Sequence, residues 1–187
     1  MTRRVLHQQT GTLTPTADTA PIRVQVDESV RLRQIRALVE ANNRSTMSTN
    51  RIICQIYKES TFNAQAGAGS GGHNALGLMQ MQRQAVRQVY KYRVQRRLGH
   101  MPSDAQTAAA FAQGGQLYDS GGLLDEATNI QVGTDYLQYW LDTKSTEELA
   151  YIAYRGTHEA YYHPIIACAA QLNADPDNVQ ILHQLHR

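Results

Sequence analysis

No stretch of the chain is apolar for long enough to cross a bilayer as a helix, so no membrane span is expected in it. The first residues, Met1-Thr2-Arg3-Arg4-Val5-Leu6-His7, carry the two arginines of a signal peptide with no apolar segment behind them. The expectation is therefore a protein made in the cytoplasm without an ordinary export leader. Only two cysteines occur, Cys54 and Cys168, each among apolar neighbours. Buried free thiols are the default for such a pair, one disulfide is the alternative, and the sequence does not choose. The net charge of +2 is too small to point to a nucleic-acid partner. Acidic residues are missing altogether between Ser60 and Ser103, where Arg83, Arg87, Lys91, Arg93, Arg96 and Arg97 fall. Such a basic stretch either rests on an anionic polymer or pairs with the acidic half of its own domain, and the second is commoner. Strand-like alternation is scarce, and no internal repeat is evident. The glycines at 67, 69, 71 and 72 are not followed by Gly-Lys-Ser/Thr, so a phosphate-cradling loop is excluded. His183 and His186 share a helical face without a third ligand nearby, so neither metal nor cofactor is implied. No motif supports a Ser-His-Asp hydrolase.

What is present is helical patterning. Residues 1–26, rich in Thr, Gln and Pro, read as a tail or arm, and 27–187 as one domain. Asp27 to Asn43 is the first expected helix, with Val30, Ile35, Leu38 and Val39 as its apolar stripe. Ile52, Ile53 and Ile56 place a second apolar helix after the polar caps of residues 45–50. A basic helix runs from Gln80 to about Leu98. An Ala-rich segment, Ala105 to Ala112, follows a Ser103-Asp104 cap, and Gly114-Gly115 and Gly121-Gly122 bracket a loop. Ile130, Gly133, Leu137, Trp140 and Leu141 keep the clearest helical rhythm, with Gly133 expected at a close helix–helix approach. Further helices are expected from Ser145 or Thr146 to Tyr154, from Glu159 to Leu172, and from Pro176 through Leu185. The tyrosines, abundant relative to phenylalanine, suit either a helical core or a wet saccharide cleft, and most are read as core.

Glu59 stands where the apolar pattern of the second helix stops. A carboxyl group there, beside a helix C-terminus and an apolar wall, is disfavoured as an anion, so its pKa rises. That is the property a general acid needs at neutral pH, although a solvated glutamate in a last turn is the ordinary fate of this pattern.

The residues around Glu59 carry a resemblance. Glu59-Ser60-x-Phe62-Asn63, then Gly77-Leu78-Met79-Gln80, then Asn129-Ile130-x-x-Gly133-x-x-Tyr136-Leu137 and Ala153-Tyr154-x-Gly156 occur in order over roughly Arg51 to Gly156. This series resembles the lysozyme-like superfamily of peptidoglycan glycosidases, nearest to soluble lytic transglycosylases and goose-type lysozymes. The resemblance implies a mainly α fold with a small loop or β-hairpin beside a cleft. It implies cleavage of the β-1,4 bond between MurNAc and GlcNAc, with Glu59 as the catalytic acid. Ser60, Ser70, Gln80, Tyr154 and Arg155 become candidate substrate-binding residues. Of these, Tyr154 matches the tyrosine that contacts or orients the acid, and Met79 is read as core. Arg155 stands where the family usually has Asn, either to meet a lactyl or peptide carboxylate or to point to solvent. Gln82 replaces an apolar residue.

Goose-type enzymes with a second carboxylate place it near positions corresponding to Gly71 and Gln82, and neither is acidic here. The resemblance therefore leans towards anhydro-forming transglycosylation, unless Asp104, Asp119 or Asp125 folds back into the cleft. Leaderless domains of this kind resemble type VI secretion effectors and phage tail lysins. The effector reading implies action in a target periplasm and a periplasmic immunity protein that plugs the cleft beside the basic helix. A phage or housekeeping lytic transglycosylase, a non-catalytic wall-binding module on the same fold, and a structural or interaction protein are the remaining alternatives.

Overall fold

The computed structural model describes residues 27–69, 74–156 and 160–186, and the arm expected at 1–26 lies outside them. Eight α-helices, one two-stranded hairpin and two short 3-10 helices (Gly122–Leu124 and Gln184–His186) are the regular elements of the described residues. The α-helices are α1 (Glu28–Asn42), α2 (Thr49–Ser60), α3 (Arg83–Leu98), α4 (Asp104–Asp119), α5 (Glu126–Thr143), α6 (Glu147–Arg155), α7 (Tyr162–Ala174) and α8 (Val179–His183). The hairpin strands are β1 (Ala75–Leu76) and β2 (Met81–Gln82), antiparallel with Ala75 opposite Gln82. This is the mainly α, lysozyme-like architecture with a hairpin beside the cleft. None of these helices is long and apolar enough to cross a membrane.

Helix α2 runs through the middle. Ile52, Ile53, Cys54, Gln55 and Ile56 are all fully buried, so it is enclosed on nearly every side rather than amphipathic at a surface. It packs against α1 and α7. The buried residues of α1 are Leu32, Ile35 and Val39, so Leu32 takes the place expected of Val30, which is exposed. Cys54 and Cys168 are joined in a disulfide that ties α2 to α7 across 114 residues. Buried free thiols, the default from sequence, are thus corrected: the helices pack so that two cysteines far apart in the chain meet.

Two glycine assignments also change. Gly114 and Gly115 do not open a loop but lie inside α4, buried against α3. A Cβ at Gly114 would sit 2.9 Å from the Arg87 Cα and the Val86 carbonyl oxygen, so the absence of a side chain lets the two helices touch backbone to backbone. Gly133 does mark a close approach, but its neighbour is the side chain of Met79, not a second helix. Met79 itself is fully buried. The basic stretch begins one turn later than expected because Met81 and Gln82 pair as a strand. Part of its charge is met within the domain: Arg83 binds Asp119 through two hydrogen bonds of 2.8–2.9 Å, and Arg93 donates to Asp135 at 2.7 Å.

Candidate active site

The cleft is bounded by the end of α2, the hairpin, α5 and the end of α6, with Glu59, Gln80, Gln82, Tyr136, Tyr154 and Arg155 among its lining. Among the described residues on that lining Glu59 is the only acidic one. A roomier hollow behind α2, walled by Tyr57, Phe62, Val179 and Leu182, has no buried acid.

The chain leaves α2 through two non-glycine residues in the left-handed region, Thr61 (φ 51°) and Phe62 (φ 64°). Such backbone is held only where its surroundings demand it. Here the demand comes from α1: Arg31 donates to the Phe62 carbonyl at 2.8 Å while its guanidinium pairs with Glu126 of α5. This anchor sets where the last turn of α2, and hence Glu59, ends.

The hairpin turn is fixed from beneath. Asn129, fully buried in α5, accepts from the Met79 amide at 2.8 Å and donates to the Leu76 and Leu123 carbonyls at 3.0 and 2.8 Å. Gly77 lies at φ +73°, and the Asn129 amide fills the space a side chain would need. From the other side the Tyr154 hydroxyl donates to the Met79 carbonyl at 2.8 Å. Asn129 and Tyr154 thus hold one residue, Met79, by both of its backbone polar groups. Gln80, at φ +47°, follows on the cleft wall with its amide nitrogen tied to the Gly77 carbonyl at 2.8 Å.

The Glu59 side chain is 3% exposed. Burial pushes its carboxyl above the ordinary 4.5, against the opposing pull of a Tyr161 hydrogen bond and of the Arg155 and Lys58 charges. Its Oε1 accepts from the Tyr161 hydroxyl, and its Oε2 lies 3.2 Å from Arg155 Nη1. Burial also drives the Tyr161 hydroxyl well above the usual tyrosine range, so it stays a proton donor.

Several sequence expectations change at this point. The tyrosine hydrogen-bonded to Glu59 is Tyr161, preceding α7, while the hydroxyl of Tyr154 supports the hairpin turn. Arg155, half exposed on the cleft wall, also pairs with Glu59, a contact that neither sequence reading of it included. Ser60 is buried and donates back to the Ile56 carbonyl at 3.1 Å, so its hydroxyl serves its own helix and not the cleft. Ser70 lies outside the described residues. None of the three aspartates folds back: Asp104 sits in the first turn of α4, Asp119 pairs with Arg83, and Asp125 caps α5 through the Thr128 amide. Tyr161 was missed because it falls after the last block of the resemblance. Its one sequence signal was membership of the tyrosine-rich region from 151 to 162.

A mainly helical domain whose cleft holds one buried glutamate at the end of its central helix, beside a short hairpin, defines a lysozyme-like glycosidase. Residues 37–162 match the model of the Transglycosylase SLT domain, and the chain belongs to that family of peptidoglycan-cleaving enzymes. No curated protein and no solved structure matches the chain.

Proposed function

We propose that the chain is a muramidase that cuts the MurNAc–GlcNAc β-1,4 bond by anhydro-forming transglycosylation, with Glu59 as both acid and base. The observation that carries this reading is the isolation of Glu59: among the described residues no second carboxylate lines the cleft to act as nucleophile or to activate water. In the proposed course the Glu59 carboxyl protonates the glycosidic oxygen as its bond to muramyl C1 breaks. The substrate's own N-acetyl carbonyl oxygen closes on C1. Glu59, now a carboxylate, then takes the proton of the muramyl C6 hydroxyl as that oxygen attacks C1 and expels the acetamido oxygen. No water is consumed, and the strand ends in a 1,6-anhydromuramyl residue.

Purified sacculi incubated with wild type and with Glu59→Gln test this. Wild type is expected to clear the suspension and release anhydro ends in mass spectra, and the variant to do neither. Ends carrying one added water overturn the transglycosylase part. Clearing by the variant at the wild-type rate overturns the role of Glu59.

The site of action in this proposal is an oxidising compartment, a periplasm, and the Cys54–Cys168 disulfide supports it. The role there is that of an antibacterial effector of the type VI kind, held in check in the producer by an immunity protein that plugs the cleft. Arg83 and Arg93 are engaged by Asp119 and Asp135, so the landing surface for an acidic inhibitor face is the rest of the basic helix, Arg87, Lys91, Arg96 and Arg97. Expression of the chain with a periplasmic signal is expected to kill a Gram-negative host, and cytoplasmic expression to spare it. Harmless periplasmic expression of a protein that digests sacculi favours a phage or housekeeping role instead.

A further inference from the structure

The two oxygens of Glu59 face different surroundings. Oε1 is turned to the Tyr161 hydroxyl, in the fully buried interior. Oε2 is turned to Arg155, whose side chain is 49% exposed and forms part of the cleft wall. A glycosidic oxygen arriving along the cleft can meet only the second of these, and in this structure the guanidinium already occupies that position. Both oxygens accept hydrogen bonds, a state that suits the carboxylate and not the carboxylic acid. For Glu59 to donate a proton, Arg155 has to turn away.

The chemistry that would turn it is available on the substrate. Guanidinium holds Glu59 through one Nη at 3.2 Å, at the long end for a charge-assisted bond, and without the bidentate fork that makes such pairs strong. A carboxylate offered from the open side of the cleft can take both remaining faces of the fork. The end of α6 gives the side chain its freedom to swing: Arg155 is the last helical residue, followed by Gly156 at φ +79°, and it rests over the Tyr161 ring at 5.9 Å.

We propose that Arg155 is a carboxylate-binding gate, which releases Glu59 when a free acid on the glycan, next to the scissile bond, takes its guanidinium. The proposal rests on the muramidase reading and narrows its substrate class. Neutral amino-sugar strands leave the gate shut, whereas muramyl strands carry acids on the lactyl ether or on the stem peptide. Both sources share the carboxylate. Once the gate opens, Glu59 is left with burial, the Tyr161 hydroxyl and the more distant charge of Lys58, with the Tyr154 phenol nearby, and it takes up a proton from the cleft.

The test compares kcat/KM on three forms of one glycan preparation. These are strands with stem peptides, strands freed of peptides so that the lactyl carboxylates are exposed, and the same freed strands with those carboxylates converted to amides. Wild type is expected to prefer at least one acidic form over the amidated form by about tenfold or more, the scale of a charged hydrogen bond. Preference for the peptide-free strands assigns the lactyl group, and preference for peptide-bearing strands assigns the stem. Arg155→Asn is expected to bring the ratio near one and to move the falling limb of its pH profile upward. Arg155→Lys keeps the charge without the fork and is expected to fall between. Equal wild-type rates on acidic and amidated strands overturn the gate, as does an unchanged ratio in a folded Arg155→Asn. Wild type that cuts none of the three removes the muramidase reading itself, and the gate with it, so the two failures are told apart before any variant is made.

Discussion

The Tyr161 hydroxyl donates a hydrogen bond to Glu59 Oε1 across 102 residues of chain, from the residue that precedes α7 to the last turn of α2. The bond fixes which oxygen of the carboxyl faces inward and so which is left for chemistry. It also opposes the effect of burial, because it favours the charged form of Glu59.

Removing it therefore has a direction. Tyr161→Phe leaves Oε1 buried without its donor, and the Glu59 pKa rises further. Activity that needs a protonated Glu59 falls as pH rises through that pKa, so the falling limb of kcat/KM is expected to move to higher pH. The rate at the optimum is expected to drop by about tenfold or more through lost orientation, in keeping with the general acid's overall contribution of about 10²–10⁴-fold. A pH–rate profile checks this, and an unmoved limb would mean that Tyr161 is only packing.

The same burial makes Glu59 a pH-dependent liability for stability. Its folded pKa lies above the ordinary 4.5, so the native state binds the extra proton in the window between the two values. The favourable contribution is complete below the unfolded pKa and is lost as pH rises through the folded one. Glu59→Gln keeps the shape without the charge. Its melting temperature is expected to equal that of wild type in acid and to exceed it at neutral pH, which parallel thermal melts across pH can measure.

Asn129→Ala is expected to destabilise the domain by about 2 kcal/mol or more, since it strands the Met79 amide and the Leu76 and Leu123 carbonyls in a buried place. Loss of activity should exceed loss of folded protein, because the freed turn carries Gln80 on the cleft wall. Denaturant titration with sacculus clearing on the folded fraction separates the two effects.

Reduction of the Cys54–Cys168 bond is expected to cost about 2–4 kcal/mol, typical of a native disulfide, with the long enclosed loop favouring the upper part of that range. Denaturant midpoints with and without reductant measure it. The paired variant Cys54→Ala/Cys168→Ala should match the reduced protein, and equal midpoints in all three would mean the helix packing alone sets the stability.

The helical class was legible in the sequence because periodicity is local. Ile130, Gly133 and Leu137 announce α5 whatever packs against it, and Ile52, Ile53 and Ile56 announce a buried α2 with Glu59 in its last turn. The ordered blocks from Glu59 to Gly156 were enough to point to the family, and they contain the turn glycine Gly77 and the buried anchor Asn129. What the tertiary structure alone decided is which distant groups meet. Tyr161 instead of Tyr154 reaches Glu59, Arg155 turns onto the acid, Ser60 bonds back to its own helix, and Cys54 finds Cys168. Each of these outcomes except that of Ser60 joins residues about a hundred positions apart. Sequence spacing carries no information about such pairs, because the direction of a side chain at a helix end depends on how the helices cross. Even the Ser60 bond, which is local, turns on whether that face of α2 is covered.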